Sequence, residues 1–378
     1  MNKKISLGFA LCLIVIASAV TFILTSFFSF RSFNEKYNNL QALDAFVQEN
    51  FYGDIDEKHI SDGILKGYIS GLDDRYSRYL TAEEYAEEKS ETAGKMTGLG
   101  FTLEKDDSGY IKIAGTMPDS PVSETDIQAG DFIVSVNGSD VLETGLEKSI
   151  ELMSGTDEVT LTVRRDGTDK EYTLKRRSIE MITVTGEMLD NCIGYIKISG
   201  FKKNTSQQFA EELEKLRLKG AKGIIFDLRE NGGGLLDALE DCLDPLLPEG
   251  IIATAEYSDG HSETIVQSDK SELNIPMVVI VNGHTASAAE LFTASLRDFG
   301  KAEIVGTTTY GKGVMQTTAE FENGGAVVLT IAEYKTTVSE CYDGTGITPD
   351  YVVENENDDS DEQYNKAVEI ISSKITGT

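Results

Sequence analysis

The hydrophobic positions of this chain change their spacing four times. Residues 5–30, ISLGFALCLIVIASAVTFILTSFFSF, are apolar or small throughout and carry no charge. About 20 such residues cross a bilayer as a helix, and Lys3 and Lys4 before them favour an inside N-terminus. Ala17-Ser18-Ala19 resembles a signal-peptide cleavage site, but the apolar run continues well beyond it. The expectation is therefore an uncleaved anchor over 5–30, a short cytoplasmic tail 1–4, and an extracytoplasmic remainder at the cytoplasmic membrane.

Residues 31–94 are polar and rich in helix formers, with TAEEYAEEKSETAG reading as a solvated helix and a glycine stop. Over 95–178 the pattern becomes short β-rich runs, GYIKIAG, DFIVSVNG, EVTLTVRRDG and EYTLKRR, punctuated by Gly, Asn and Asp. One short amphipathic helix, LEKSIELMSG, sits among them. From 179 to 355 strands and helices alternate: CIGYIKISGF, then TSQQFAEELEKLRLKG with Thr205 and Gln208 at capping-box spacing, then GIIFDL, GLLDALEDCLDPLL, PMVVIVNG, SAAELFTASLRDFG and AEIVG. Such alternation predicts a parallel sheet with helices on its faces, and chemistry in the loops after the strands. A helical tail, 356–378, closes the chain.

Charge and cysteine content narrow the classes. The net charge of −30 and pI near 4.4 repel a phosphate backbone, so nucleic acid is excluded as a partner. Cys12 lies in the apolar run, and Cys192, Cys242 and Cys341 are odd in number and show no CxxC spacing. The three histidines, His59, His261 and His284, assemble no zinc motif, so no metal and no cofactor are expected.

Three post-strand segments carry candidate chemistry: DLRENGGG, NGHTASAAE and GTTTYGKGVMQ. Ser287 and Glu290 have capping-box spacing, and alone that is more often a helix cap than a nucleophile. A serine nucleophile needs a base. No histidine is well placed, but a lysine serves when burial lowers its pKa. Lys312, flanked by Gly311 and Gly313, fits that role, with Gln316 an even number of residues further on to orient it. The N–H of Ala288 and that of Gly233 in the glycine run are the candidate oxyanion donors. GTTTYGKG also approximates a phosphate-binding loop, but Gly313 replaces its final hydroxyl residue and a strand pattern follows.

Together these segments resemble the C-terminal processing peptidases, exported or membrane-tethered serine proteases with a Ser–Lys dyad and an embedded PDZ domain. TASAAE and YGKGVMQ match the family's S/T-A-S-A-S-E and F/Y-G-K-G motifs, with its serine-to-lysine spacing of 25 (312 − 287) and its glutamine four residues on. DRYSRYL, IGYIKISGF, DLRENGGG and GTGITPD match further motifs, so the resemblance runs from about Phe51 to Val353. Arg75, Ala289 and Gly232 depart from the family pattern, with Arg75, in place of proline, expected to lie away from chemistry. The resemblance makes TGLGF, with Gly98, Leu99, Gly100 and Phe101, the carboxylate-binding loop of a PDZ domain over 95–178.

The expected fold is thus an α/β peptidase core with a β-rich PDZ domain, a small N-terminal helical segment and one transmembrane helix. The expected function is an anchored serine endopeptidase whose partners are polypeptides with free, unstructured C-terminal tails. A non-catalytic PDZ scaffold is the competing reading, a PDZ module that gates the active site is a further expectation, and a homo-oligomer is compatible with the sequence.

Overall fold

The computed structural model describes residues 18, 21, 37–269, 271–355 and 360–377. The anchor expected over 5–30, its flanking lysines and the 17–19 cleavage pattern fall outside the described residues, Ser18 and Thr21 excepted. Among the described residues no helix is long and apolar enough to cross a membrane. The chain divides into two compact units, 1–68 and 69–378.

In the first unit, helix α1 (37–50) is followed by helix α2 (Glu57–Ser70). Asp56 Oδ1 accepts the His59 N–H at 3.0 Å, starting α2, and Gln48 donates to Glu57 at 2.7 Å. No residue of α2 is buried. The sequence reading of 31–94 as one helical segment needs correction, because its second half belongs to the larger unit. DRYSRYL there supplies strand β1 (Arg78–Leu80), which places buried Tyr79 and Leu80 in a sheet of the core. Helix α3 (Ala82–Thr92) follows on a Thr81–Glu84 capping box and buries no residue, as its acidic sequence implies.

The β-rich module is entered and left through a ribbon of β2 (Lys95–Gly98) and β9 (Arg177–Glu180), paired antiparallel. Between them lie β3 (Phe101–Lys105), β4 (Ile111–Thr116), β5 (Phe132–Val136), β6 (Ser139–Asp140), helix α4 (Val141–Ser154), β7 (Glu158–Arg165) and β8 (Thr168–Lys175). The sheet order is β3-β4-β5-β7-β8, with β6 beside β5, so β3 is an edge. Alternate residues such as Ile111, Ile113, Val159, Leu161 and Val163 fill its core.

The rest is an α/β core. In chain order it holds β10 (Val184–Leu189), β11 (Ile193–Ile198), α5 (Thr205–Leu218), β12 (Gly223–Asp227), α6 (Leu236–Leu243), β13 (Gly250–Tyr257), β14 (Ser262–Ser268), β15 (Met277–Val281) and α7 (Ala288–Asp298). Then come β16 (Ala302–Gly306), β17 (Val314–Glu320), β18 (Ala326–Thr336), β19 (Tyr351–Val352) and α8 (Glu362–Thr376). The main sheet runs β10-β11-β12-β15-β16-β19 and is parallel except for β10. Both faces of β12 are covered: Ile224 and Phe226 join Phe209 and Phe292 on one side, while Ile225 packs with Ile370 and Ile371 of α8 on the other.

Two sequence expectations change here. The strand–helix alternation is interrupted by a second, antiparallel sheet, β1-β18-β13-β14, with β17 on β18. Thr205 and Gln208 also form no capping box: Asn204 is the N-cap, and Gln208 Oε1 accepts the Thr183 and Val184 N–H groups at 2.8 and 3.2 Å. Those side chains tie α5 to the start of β10, a tertiary use that local spacing does not reveal.

Candidate active site

Strands β12, β15 and β16 are parallel neighbours, so the loops after them open at one edge of the sheet. They carry the glycine run, Ser287 and Lys312, as expected. Ser287, Lys312, Gln316 and Gly232, Gly233 and Gly234 line one cleft of about 720 Å³, with Arg78, Glu88, Lys202 and Val328 among its other walls.

Ser287 has φ 56 and ψ −121, a conformation that L-residues rarely hold and that an ordinary N-cap does not use. Its own N–H donates to Glu290 Oε2 at 2.9 Å, half of the capping box seen in the sequence. So Ser287 does begin a helix, and its backbone is strained as well. Thr285 steadies the preceding turn by donating to the Leu228 carbonyl and accepting the Asn282 N–H. Ala288 is buried, and its N–H makes no hydrogen bond among the described residues. It stands at the positive end of α7, where an oxyanion is favoured.

Gly233 packs against this turn with φ +97. A Cβ there would sit 2.8 Å from the Ala286 carbonyl oxygen and from Ser287 Cβ, and 2.9 Å from Ala288 N. Its role as oxyanion donor is not ready-made, because its N–H donates to Asn231 Oδ1 at 2.8 Å. Fully buried Asn231 also donates to the Ile198 carbonyl and accepts the Ala286 N–H through its own carbonyl, joining three loops. A Cβ added at Gly232 would meet nothing within 4 Å, so this neighbouring position leaves room for a side chain.

Lys312 precedes β17. Burial, and after it the Arg78 charge, hold its amine below the ordinary lysine pKa. Glycines flank it of necessity: a Cβ on Gly311 would lie 2.8 Å from Gly346 N, and one on Gly313 would lie 2.7 Å from Cys341 Sγ. Gln316 does share the cleft, though not for the expected reason. The strand begins only at Val314 and a bulge falls between Met315 and Gln316, so even spacing does not govern direction here. The Gln316 amide donates to the Val314 carbonyl at 3.2 Å. The loop is followed by strand β17, not by the helix that a phosphate-binding loop requires.

Glu290 joins the two loops. Its carboxylate, fully buried, accepts the Ser287 and Lys312 N–H groups on Oε2 at 2.9 and 2.8 Å, and the Gly311 N–H and Thr309 hydroxyl on Oε1 at 2.7 and 2.5 Å. Sequence reading saw Glu290 only as a cap partner. Three other residues were missed or misjudged. Asn231 had only its place beside the glycines as a signal. Buried Tyr334 donates to the Lys312 carbonyl at 2.8 Å and had none. Arg75 does not lie away from chemistry, since it hydrogen-bonds the Tyr310 hydroxyl two residues before Lys312.

In the β-rich module, Gly98 ends β2, Leu99 is buried, Gly100 has φ +88 and Phe101 opens edge strand β3. The N–H groups of Leu99 and Gly100 make no hydrogen bond among the described residues. An edge strand beside free N–H groups is what strand addition by a peptide ending in a carboxylate requires.

Comparison with known proteins agrees with this geometry. Peptidase family S41 matches residues 192–353, and the PDZ domain family matches residues 89–164. The carboxy-terminal processing protease CtpA of Bacillus subtilis is 32% identical over 360 residues, 92% of this chain and 77% of that protein. A putative S41 protease from Bacteroides fragilis shares the fold at a TM-score of 0.57 and 20% identity, over 86% of this chain and 91% of that one. The photosystem II D1 C-terminal processing protease does so at 0.52 and 24%, over 89% and 91%. The chain belongs to peptidase family S41 and is a serine-type C-terminal processing protease with a PDZ domain.

Proposed function

We propose that the protein is a membrane-anchored, extracytoplasmic endopeptidase that takes polypeptides by their free C-terminal tails and cuts them with a Ser287–Lys312 dyad. The PDZ module holds the tail as an added strand beside β3, its carboxylate on the Leu99 and Gly100 N–H groups. Ser287 Oγ attacks the scissile carbonyl while its proton passes to neutral Lys312 Nζ. The oxyanion is received by the Ala288 N–H and by a glycine N–H of 232–234; Gly233 serves once it releases Asn231. The intermediate collapses as Lys312 gives its proton to the leaving amine. Lys312 then takes a proton from water, whose oxygen attacks the acyl-enzyme, and returns it to Ser287 Oγ as the acyl bond breaks. Gln316, on the same cleft, steadies the peptide or the amine.

The observation that carries this reading is the Glu290 carboxylate, which accepts from the N–H of both Ser287 and Lys312 and so fixes the two loops together. The anchor rests on the uncharged run 5–30 behind Lys3 and Lys4.

The test is cleavage of fluorescently labelled casein by the full-length chain in detergent, beside Ser287→Ala and Lys312→Ala. Loss of at least about 10³-fold in both is expected. Turnover surviving in Lys312→Ala would overturn the dyad. Fractionation tests the anchor: deleting 5–30 moves the protein out of the membrane pellet, and a mutant that stays there refutes it.

A further inference from the structure

The amine of Lys312 makes no hydrogen bond or ion pair among the described residues; what it meets is an aromatic face. Its Nζ lies 5.1 Å from the centroid of the Tyr76 ring. The ring is itself firmly held. Asp74 accepts the Tyr76 and Ser77 N–H groups at 3.3 and 3.0 Å, and Ser77 Oγ accepts the Thr330 N–H of β18 at 3.1 Å. The Arg75 guanidinium stands 4.8 Å from the centroids of both Tyr76 and Tyr310 and hydrogen-bonds the Tyr310 hydroxyl. Tyr310 N–H in turn donates to the Thr285 carbonyl in the serine loop at 3.0 Å. The Tyr76 hydroxyl adds little, at 3.5 Å from the Gly311 carbonyl.

We propose that Tyr76 is a positioning residue for Lys312: its ring face seats the amine and stabilises the ammonium that forms when the amine takes the serine proton. An aromatic face attracts a cation far more than a neutral amine, so the contact strengthens as charge develops. The orienting role expected of Gln316 thus falls, in large part, to a residue 236 positions earlier in the chain (312 − 76). This inference rests on Lys312 acting as the base.

Other charged or titratable groups face Lys312 and its loop. They are Arg78 on β1, Glu88 on α3, Asp74 and Arg75 beside Tyr76, and Glu290 on α7. Tyr310 in its own loop, Tyr334 on β18, and Cys341 and Asp343 complete the set. None is altered in the test that follows.

The pH dependence of kcat/KM and the plateau kcat on labelled casein are measured for the full-length parent, Tyr76→Phe and Tyr76→Leu. In Tyr76→Leu burial is kept and the ring is lost, so the ammonium loses stabilisation. The ascending limb moves to lower pH by about 0.5 unit, and the plateau kcat falls about tenfold. Tyr76→Phe keeps the ring and restores both. Placing trifluorophenylalanine at position 76 weakens the ring's attraction without changing its shape, and moves the limb the same way as Leu even if the Leu variant folds poorly. A purely structural role would lower kcat and leave the limb in place; that result, or Phe behaving as Leu, overturns the proposal. Lys312→Ala runs alongside. Turnover surviving there fells the dyad and this inference together, whereas loss there with an unmoved limb in the ring variants fells the inference alone.

Discussion

In the loop after β15 the main chain carries the geometry, whereas in the loop after β16 side chains do. Ser287 is set by its own strained φ and ψ, by Gly233 packed against it, and by the helix that starts at once behind it. Lys312 is set by partners from three other segments: Glu290, Tyr334, and the stretch that carries Tyr76 and, through charge, Arg78. A nucleophile must be placed to within tenths of an ångström of the carbonyl it attacks, and a backbone fixed by covalent geometry does that. A base must also change charge during the reaction, and a long side chain among graded partners lets its pKa be tuned. Substitutions should therefore act all-or-none in the first loop and by degrees in the second.

Gly233→Ala gives the largest effect. The new Cβ meets backbone at 2.8–2.9 Å on the Ser287 turn, at φ +97, and no side chain can swing away to admit it. Turnover falls by about 10²–10³ or more, and Ser287 ceases to react with a small acylating probe. Gly232→Ala, with nothing within 4 Å, stays within a few-fold. Equal effects at the two positions would break the contrast, since packing on the serine turn would then not be what matters.

Glu290→Gln comes next and should strike both loops. The amide that replaces one carboxylate oxygen turns a donor towards N–H donors, on either Oε1 or Oε2. Turnover falls about 10²-fold, and thermal unfolding shows a loss of about 3 kcal/mol, the scale of hydrogen bonds to a buried charge. Serine acylation and the lysine limb of the pH profile change together. If only one changes, Glu290 serves that loop alone.

The same contrast explains what could be read from the sequence. The three post-strand loops were legible because β12 and β15 are wholly buried runs and β16 is buried over its last three residues, the pattern of a parallel sheet covered on both faces. Ser287 and Lys312 were legible because flanking glycines and a helix start are local signals. The partners of Lys312 were not. Tyr76 reaches it through the pairing of β1 with β18, and Tyr334 through that of β18 with β17, in an antiparallel sheet that strand–helix alternation hides. Glu290 was seen, but its local capping geometry concealed bonds to residues 19–22 positions further on (309 − 290 to 312 − 290). Local chemistry shows in sequence; long-range satisfaction of a buried charge does not.

Thr309→Val confines the damage to the lysine loop. The hydroxyl donates to Glu290 and accepts the Ile347 N–H at 2.7 Å, so valine leaves a buried N–H unpaired. A loss of about 2 kcal/mol in stability is expected. Turnover drops several-fold and serine acylation is spared, because the Ser287 N–H bond is on the other carboxylate oxygen. Loss of acylation here would show that the two loops move as one body.

The smallest effect is a change of sign rather than of rate. Arg78 lies across the cleft in an ion pair with Glu88 at 2.6 Å, half-exposed, and its charge is the second cause, after burial, of the low Lys312 pKa. Arg78→Gln removes that repulsion and leaves Glu88, which favours the ammonium, without its partner. The Lys312 pKa therefore rises. On the proposed dyad catalysis needs the neutral amine, so the ascending limb of kcat/KM moves to higher pH, opposite to the shift expected on losing the Tyr76 ring. A few tenths of a pH unit is the scale for exposed charges, and the shift shrinks in high salt as they are screened. A shift of more than a full unit would mean that a surface charge, not burial, sets the base. The lysine loop would then be governed by one partner instead of several, and its graded behaviour would have to be explained another way.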